Sequence, residues 1–482
     1  MLGRFTGREV AVVGIGKSNQ SLCRYLLKEG ARVTCFDRKT AQELGQIYAS
    51  LSSLGVGWRL GDGYLRTLPD FHWIFLTPGM RKDYPEILRA RELGAVISNE
   101  TALFLERCKA RVAGVTGSAG KTTTSTLTGM ILRESFPDVP VYVGGNIGAV
   151  LIEEVDRIPE DALVVLELSS FQLELVRQSP AFSMVLNVRP NHLDIHASFE
   201  EYAEAKKNIF RFQHPGDWCV LCWDDPVARS MADECPGQVG GFTISPDVAR
   251  EVLRRGYPVA CLDGDDLVVR WPGSAGEIGG ASVVVANRSD FLVPGLHNVS
   301  NALGAALLTA ILGADASAVK RTISSFRGVE HRIEFVRELR GAKYYNDSIA
   351  TSPDRTEALL DAIPGPLVLI LGGYDKGLPF DDLAEKVVAR GCLVVTMGKT
   401  APKIEEAIRR AEKGVRTSRG APEASSLILA RAASLEEAVR VASENAEPGC
   451  SVVLSPACAS FDMFSNFEER GARFKEIVRN LA

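Results

Sequence analysis

The chain has 482 residues, enough for about three domains with a core each. Its 55 Lys and Arg against 60 Asp and Glu give a formal charge of -5, which excludes the broad basic surface of a general nucleic-acid or anionic-membrane binder; anions must be held at local sites. The 10 cysteines lack framework spacing, which predicts a reduced, cytoplasmic setting, and no segment has the apolar length of a membrane span or of a cleaved leader.

Val10 to Val13 reads as a strand, Gly14-Ile15-Gly16-Lys17-Ser18-Asn19 as a glycine turn, and Leu22, Tyr25, Leu26 and Leu27 as one face of a helix. A second strand, Val33 to Phe36, ends in Asp37, as in a Rossmann nucleotide site. Asn19 stands where that fingerprint has its third glycine, so a dinucleotide, a mononucleotide or another ligand with ribose and base all remain open. Further strands end at Thr77-Pro78-Gly79 and at Asn99, and the first domain is expected to span residues 1–100.

Next comes an apolar strand followed by Gly117-Ser118-Ala119-Gly120-Lys121-Thr122-Thr123 and an amphipathic helix. This is a phosphate cradle: glycines let backbone N–H groups approach the anion, Lys121 reaches the outer phosphates and Thr122 can hold Mg²⁺. The spacing is unorthodox, because Val115 occupies the first glycine position. Gly144-Gly145-Asn146-Ile147-Gly148 implies backbone close to a ligand or a sharp bend. The buried-strand pattern Leu163 to Leu166 ends in Glu167, where a carboxylate is costly unless paired or coordinated; we expect a Mg²⁺ ligand. His192 lies in a polar cluster after the strand Met184 to Leu186 and reads equally as a cap or as a ligand.

A helix is expected over Phe199 to Phe212, with Lys206 and Lys207 on a solvated face. Cys219-Val220-Leu221-Cys222 is a lone CxxC that fits a buried strand better than a zinc site. Trp218 to Phe291 reads as β-hairpins without chemistry. Asn298 and Asn301 share one face at the start of an alanine-rich helix, suited to a ligand or a cap. The remainder repeats an α/β rhythm, with strands ending near Asn346, Gly372, Met397 and Leu454, and Lys413 to Leu427 as a surface loop. The sum is an α/β chain of three domains (N-terminal Rossmann-like nucleotide-binding, central P-loop ATPase-like, C-terminal Rossmann-like) at 1–100, 101–328 and 329–482.

Several of these stretches, with Leu166-Glu-Leu-Ser-Ser-Phe-Gln172, Asn187 through Asp194, Gly295-Leu-His-Asn298, His331-Arg332, Asn346-Asp-Ser348 and Leu454 through Gly471, resemble the Mur ligase family in order and over nearly the whole chain. The last stretch is the most specific, and it resembles the branch that adds D-glutamate to UDP-N-acetylmuramoyl-L-alanine in the cytoplasmic phase of peptidoglycan synthesis. The resemblance implies an ATP-dependent ligase working through an acyl phosphate, with two Mg²⁺ ions and a carbamylated lysine, small-molecule substrates, no nucleic-acid or membrane partner, and a monomeric state. It places the uridine nucleotide at Ser18, Asp37, Arg38, Thr77 and Gly79, with Asn146 near the sugar diphosphate. It places ATP at Gly117 to Thr123, Asn298, Asn301, Arg332 and Asp347, and metal at Thr122, Glu167, His192 and Lys206 as its carbamate. Lys121, His192 and Lys206 would be catalytic. D-Glutamate would meet Thr351, Lys376, Ser460, Phe461 and Phe467.

Two departures stand out. Many relatives read Asp-Ser-Lys-Ala-Thr where this chain has Asp347-Ser348-Ile349-Ala350-Thr351; Arg355, one helical turn on, is expected to supply the missing charge. Ala119 replaces a polar residue, and its backbone is expected still to serve the phosphate. The competing readings are a related ligase adding L-alanine, a diamino acid or a dipeptide, an NAD-dependent oxidoreductase using the first glycine turn, and a nucleotide sensor without turnover.

Overall fold

The computed structural model describes residues 4–146, 149–190, 195, 196, 198–273, 280–419 and 427–481, with backbone alone over 415–419. It divides into two compact units, Met1–Arg288 with Val299–Ile323, and Ser289–Asn298 with Ser324–Ala482.

The first unit holds two sheets among the described residues. β1 (Glu9–Val13), β2 (Arg32–Asp37), β3 (Gly57–Leu60), β4 (Trp73–Leu76) and β5 (Val96–Ser98) pair in parallel in the order 3-2-1-4-5. Order reverses between β1 and β4, which puts a crevice at their carboxyl ends, beside Gly14 and Thr77. The second sheet contains β6 (Arg111–Thr116), β7 (Val141–Gly145), β8 (Leu163–Glu167), β9 (Phe182–Val185), β10 (Trp218–Cys222), β11 (Gln238–Thr243), β12 (Val259–Asp263), β13 (Asp266–Arg270) and β14 (Ser282–Asn287). Its order is 14-13-12-11-10-9-6-8-7, so β6 lies between β8 and β9, and the turns after Thr116, Glu167 and Val185 share one edge.

The expectation of hairpins over Trp218 to Phe291 is corrected in part. β10, β11 and β12 are parallel, and hairpins are confined to β12–β13–β14. Helices Pro226–Ser230 and Pro246–Arg254 make the crossovers; each starts with a side-chain cap (Asp225, Ser245) followed by proline at the first helical position. Cys219 and Cys222 lie buried in β10, as a strand reading requires.

Polar ties join the first two sheets. Asn99 caps helix Glu100–Arg107 through the Ala102 N–H (2.8 Å) while donating to the Gln172 carbonyl (2.8 Å). Arg24 reaches both oxygens of Glu153.

The second unit carries β15 (Glu334–Leu339), β16 (Ala342–Asn346), β17 (Leu367–Gly372), β18 (Leu393–Met397), β19 (Ile428–Ala432) and β20 (Ser451–Leu454), ordered 15-16-20-17-18-19 with β15 alone antiparallel. Both faces are apolar and covered by helices: Leu369 and Leu371 point into one core, Val368 and Ile370 into the other. The surface loop expected from Lys413 begins instead as the end of helix Ala401–Arg419; 420–426 lie outside the described residues.

Candidate active site

β6 delivers the chain to the phosphate loop, and helix Lys121–Ser135 leaves it. Gly120 has φ +85°, and a Cβ there would lie 2.3 Å from Asn301 Oδ1, so both conformation and space demand glycine. Asn187, at the end of the neighbouring strand, clamps the loop: its Oδ1 accepts the Ala119 N–H (2.9 Å), its Nδ2 donates to the Ala119 carbonyl (3.1 Å) and its own carbonyl accepts the Ser118 N–H (2.7 Å). The Ala119 N–H expected to serve a phosphate is therefore engaged by Asn187 in this structure. Lys121 arches back over the loop, donating to the carbonyls of Gly117 (2.9 Å) and Ser118 (3.3 Å). Thr123 is buried in the helix's first turn.

Glu167, 2% exposed at the end of β8, accepts from Thr122 Oγ1 on one oxygen (2.8 Å) and from Asn146 Nδ2 on the other (2.9 Å). Both are neutral donors. A carboxylate so deep, offered with a hydroxyl and an amide oxygen nearby, forms a hard donor set suited to Mg²⁺.

Lys206 overturns its expected place on a solvated face: it is 1% exposed, while Lys207 pairs at the surface with Glu204 and Glu234. The helix is shorter than expected, Phe199–Lys207, capped by Ser198. Lys206 Nζ donates to the Gly117 carbonyl (3.0 Å) and stands 4.5 Å from the Tyr202 ring centroid. Burial, with the nearby Lys121 charge, holds its ammonium well below the ordinary lysine range. His192 lies outside the described residues.

On the first sheet, Asp37 is buried and accepts the N–H groups of Ile15 (2.8 Å) and Lys39 (2.9 Å), which closes the glycine turn. Asn19 explains the missing glycine: its Nδ2 donates to the carbonyls of Val13 (3.0 Å) and Gly14 (2.8 Å), a task no glycine performs. Gly14 (φ +77°) lies against Thr77, whose Cγ2 would be 2.5 Å from an added Cβ. Ser18 sits half-buried at the start of helix Lys17–Lys28, Arg38 is exposed beyond β2, and Gly79 faces the Phe171 ring. Ser18, Asp37, Thr77 and Gly79 thus share the carboxyl edge of one sheet, while Asn146 belongs to the other.

In the second unit, Arg332 lies between two left-handed residues, His331 (φ +63°) and Ile333 (φ +44°). Asp347 is 4% exposed and accepts from Ser455 Oγ (2.9 Å) and the Ile333 N–H (3.2 Å); burial pushes its carboxyl up to about 7 against the pull of Arg332 and Arg355. Arg355 donates to the Ile349 carbonyl (3.2 Å) and Lys376 to that of Thr351 (3.1 Å), so two exposed cations flank one tripeptide. Ser460 is buried; Phe461 is 67% exposed and meets Tyr374 edge-on; Phe467 opens helix Phe467–Asn480, its carbonyl accepting from Ser348 Oγ (2.8 Å). Asn298 Nδ2 donates to the Pro294 carbonyl (2.6 Å).

Sequence profiles of three domains match the chain in succession: a MurD-like N-terminal domain over 8–99, a Mur ligase middle domain over 115–309 and a Mur ligase glutamate ligase domain over 331–458. The chain belongs to the Mur ligase family. Among its relatives, the UDP-N-acetylmuramoylalanine--D-glutamate ligases of Symbiobacterium thermophilum and Acetivibrio thermocellus are 49% identical over all of both chains and 44% identical over 99% of this chain and 97% of the relative. The fold is shared with the UDP-N-acetylmuramate-alanine ligase MurC of Thermotoga maritima (21% identity, TM-score 0.52, 98% and 99% covered). It is shared also with the MurF ligase of that organism, solved with ADP (16% identity, TM-score 0.51, 100% and 98% covered).

Three residues of this Mur ligase escaped the sequence reading. Asn187 lacked an expected role because its clamp on Ala119 joins positions 68 apart in the chain. Tyr202, whose hydroxyl pairs with Ser118 Oγ (2.9 Å), looks like an ordinary helical core residue. Arg470 is 1% exposed and binds Ser348 Oγ (3.0 Å), the Ser348 carbonyl (2.8 Å) and the carbonyls of Cys458 and Ala459, fixing two loops at once. Its only sequence signal was a lone arginine amid an unusual terminal motif.

Proposed function

We infer that this Mur ligase joins UDP-N-acetylmuramoyl-L-alanine to D-glutamate in an ATP-dependent, cytoplasmic step of peptidoglycan synthesis. The full-length likeness to D-glutamate-adding relatives carries the reading. A carboxylate is a poor acyl donor because its leaving group would be oxide; phosphorylation by ATP supplies phosphate as the leaving group, and the D-glutamate amine then attacks the acyl phosphate. The three domains at 1–100, 101–328 and 329–482 take the uridine nucleotide, ATP and the amino acid respectively, and the last closes over the others to keep water from the acyl phosphate.

Within that reading, Ser18, Asp37, Arg38, Thr77 and Gly79 hold the uridine nucleotide, and Asn146 reaches the sugar diphosphate. Gly117 to Thr123 cradle the triphosphate, with Lys121 neutralising charge that grows in transfer. Asn298, Asn301, Arg332 and Asp347 orient the ATP nucleotide. Thr122 and Glu167 would hold one Mg²⁺, and His192 with carbamylated Lys206 a second; bound there, the ions would polarise phosphoryl oxygens. A neutral amine can add CO₂ where an ammonium cannot, and the buried setting of Lys206 supports that modification. Thr351, Lys376, Ser460, Phe461, Phe467 and Arg355 bind D-glutamate.

The test is phosphate release with UDP-N-acetylmuramoyl-L-alanine, ATP and Mg²⁺ against amino acids of both hands. Release with D-glutamate alone is expected. Release with L-alanine, a diamino acid or a dipeptide instead would reassign the substrate, and nicotinamide reduction without phosphate release would replace the reaction class.

A further inference from the structure

Beside the site just described lies a cluster of side chains that the proposed function does not use. Lys82 follows Gly79 by three residues and pairs with Glu174, on the segment that continues from Glu167. The other oxygen of Glu174 lies 3.3 Å from Nδ1 of His196, whose side chain is fully buried. His196 Nε2 meets Ser170 Oγ at 3.0 Å, its ring stacks on Phe171 (4.9 Å between centroids, 4° between planes), and Tyr202 meets it edge-on at 5.3 Å. Phe171 touches the Gly79 side of the first sheet, and Tyr202 carries both Ser118 and the face opposite Lys206.

One alternative is a metal site, since ligand atoms of Glu174, His196 and Glu201 lie within 4.8 Å of one another. The Lys82 ammonium already supplies the positive charge there, on Glu174. The second reading is mechanical. Starting at the Gly79 loop, each contact leads to the next: Lys82, Glu174, His196, Tyr202, then the phosphate loop at Ser118 and Lys206. These side chains are large, packed and mostly buried, the kind of contiguous path along which two sites can influence one another. His196 is thus a fully buried imidazole whose Nε2 is hydrogen-bonded to Ser170 and whose Nδ1 faces the Glu174 carboxylate.

We propose that His196 is a positioning residue which, held by the Lys82–Glu174 pair, sets Tyr202 and through it Ser118 and Lys206, so that filling the nucleotide-sugar site tightens the ATP site. This rests on the reading of the Gly79 side as the uridine-nucleotide site and of Gly117 to Thr122 as the ATP site. The energetic content is a coupling factor, equal whichever ligand binds first.

The experiment titrates a non-hydrolysable ATP analogue into the full chain with Mg²⁺, with and without saturating UDP-N-acetylmuramoyl-L-alanine and without D-glutamate. In the wild type the acid should tighten the analogue about fivefold or more, the lower end of typical couplings. Lys82→Met and His196→Phe should each bring that ratio to about 1, the double variant no further, and Lys82→Arg should keep it. His196→Phe retains the stack on Phe171, and Lys82→Met alters a partly exposed side chain, so an unfolded product of one leaves the other to decide. A wild-type ratio preserved in a folded Lys82→Met or His196→Phe protein would overturn the inference while D-glutamate-dependent turnover still stood. Failure of the wild type to bind the acid would remove the functional reading and the inference with it.

Discussion

Two pairs of basic side chains mark this molecule, and they differ in burial. In the first unit Lys121 and Lys206 converge on the Gly117 carbonyl, with Lys206 1% exposed at the end of a parallel sheet. In the second, Arg355 and Lys376 converge on the Ile349–Thr351 tripeptide from exposed positions. Buried charges feel one another strongly, and Lys121 helps depress the Lys206 amine; exposed ones are screened by water. The first pair should therefore govern the rate of the chemistry and the second the choice and capture of one substrate.

The sharpest way to break this contrast is Lys206→Ala. Loss of a preorganised group facing developing charge should lower kcat by about 10³ with little change in the D-glutamate KM. Wild-type activity should also fall in CO₂-depleted buffer and return with bicarbonate, whereas Lys206→Arg should not respond; indifference of the wild type to CO₂ would remove the carbamate. Glu167→Gln comes next. It keeps the shape and the contacts with Thr122 and Asn146 but discards the charge, and should lower kcat by about 10² and raise the Mg²⁺ concentration needed for half-maximal rate. An unaltered Mg²⁺ requirement would count against Glu167 as a ligand.

A smaller effect separates burial from function within the second unit. The Asp347 carboxyl is raised to about 7 from 3.8 by burial. Between those values the folded protein keeps a proton that the unfolded chain has lost, so this group makes stability fall as pH rises from about 4 to about 7 and level off above. Asp347→Asn should flatten that fall in urea unfolding, by at most about 1.4 kcal/mol per pH unit. The slope left over belongs to groups such as Glu100, likewise raised to about 7 by burial. An identical slope in the variant would show that Asp347 is ionised in the folded protein.

The same contrast decides what was legible in the sequence. The phosphate loop, Glu167 and the strand-end pattern are local: each needs only a strand, a turn and a helix in succession, and β6, β8 and helix Lys121–Ser135 supply them where expected. What escaped was long-range or concealed by amphipathic spacing. Lys206 shares a helix with Lys207, and only packing against Tyr202 and the Gly117 carbonyl tells the buried one from the solvated one. Arg470 was visible only as part of the terminal stretch Leu454 to Gly471, yet it spans 122 residues to bind Ser348. Trp218 to Thr243 read as hairpins because short apolar runs are ambiguous; the Asp225-Pro226 and Ser245-Pro246 helix starts were there to be weighed, and they make β10 to β12 parallel.

The least of the expected effects probes the exposed pair. D-Glutamate brings two carboxylates, which two cations would complement at the proposed site, and the tripeptide following Ser348 offers none because Ile349 is apolar. Arg355 sits in the first turn of helix Pro353–Ala362, with one hydrogen bond to the Ile349 carbonyl at 3.2 Å, a long contact that a carboxylate can displace. Arg355→Ala should therefore raise the D-glutamate KM about tenfold, the worth of one hydrogen bond to a charged group, while kcat and the ATP KM stay put. Ile349→Lys in that background should recover most of the loss, because the ammonium would return charge to the same tripeptide from the other side chain. An unchanged KM in Arg355→Ala would leave Lys376 as the sole cation of the pair and make the second carboxylate's partner a neutral donor, with Thr351 the nearest hydroxyl in sequence among the residues assigned to D-glutamate.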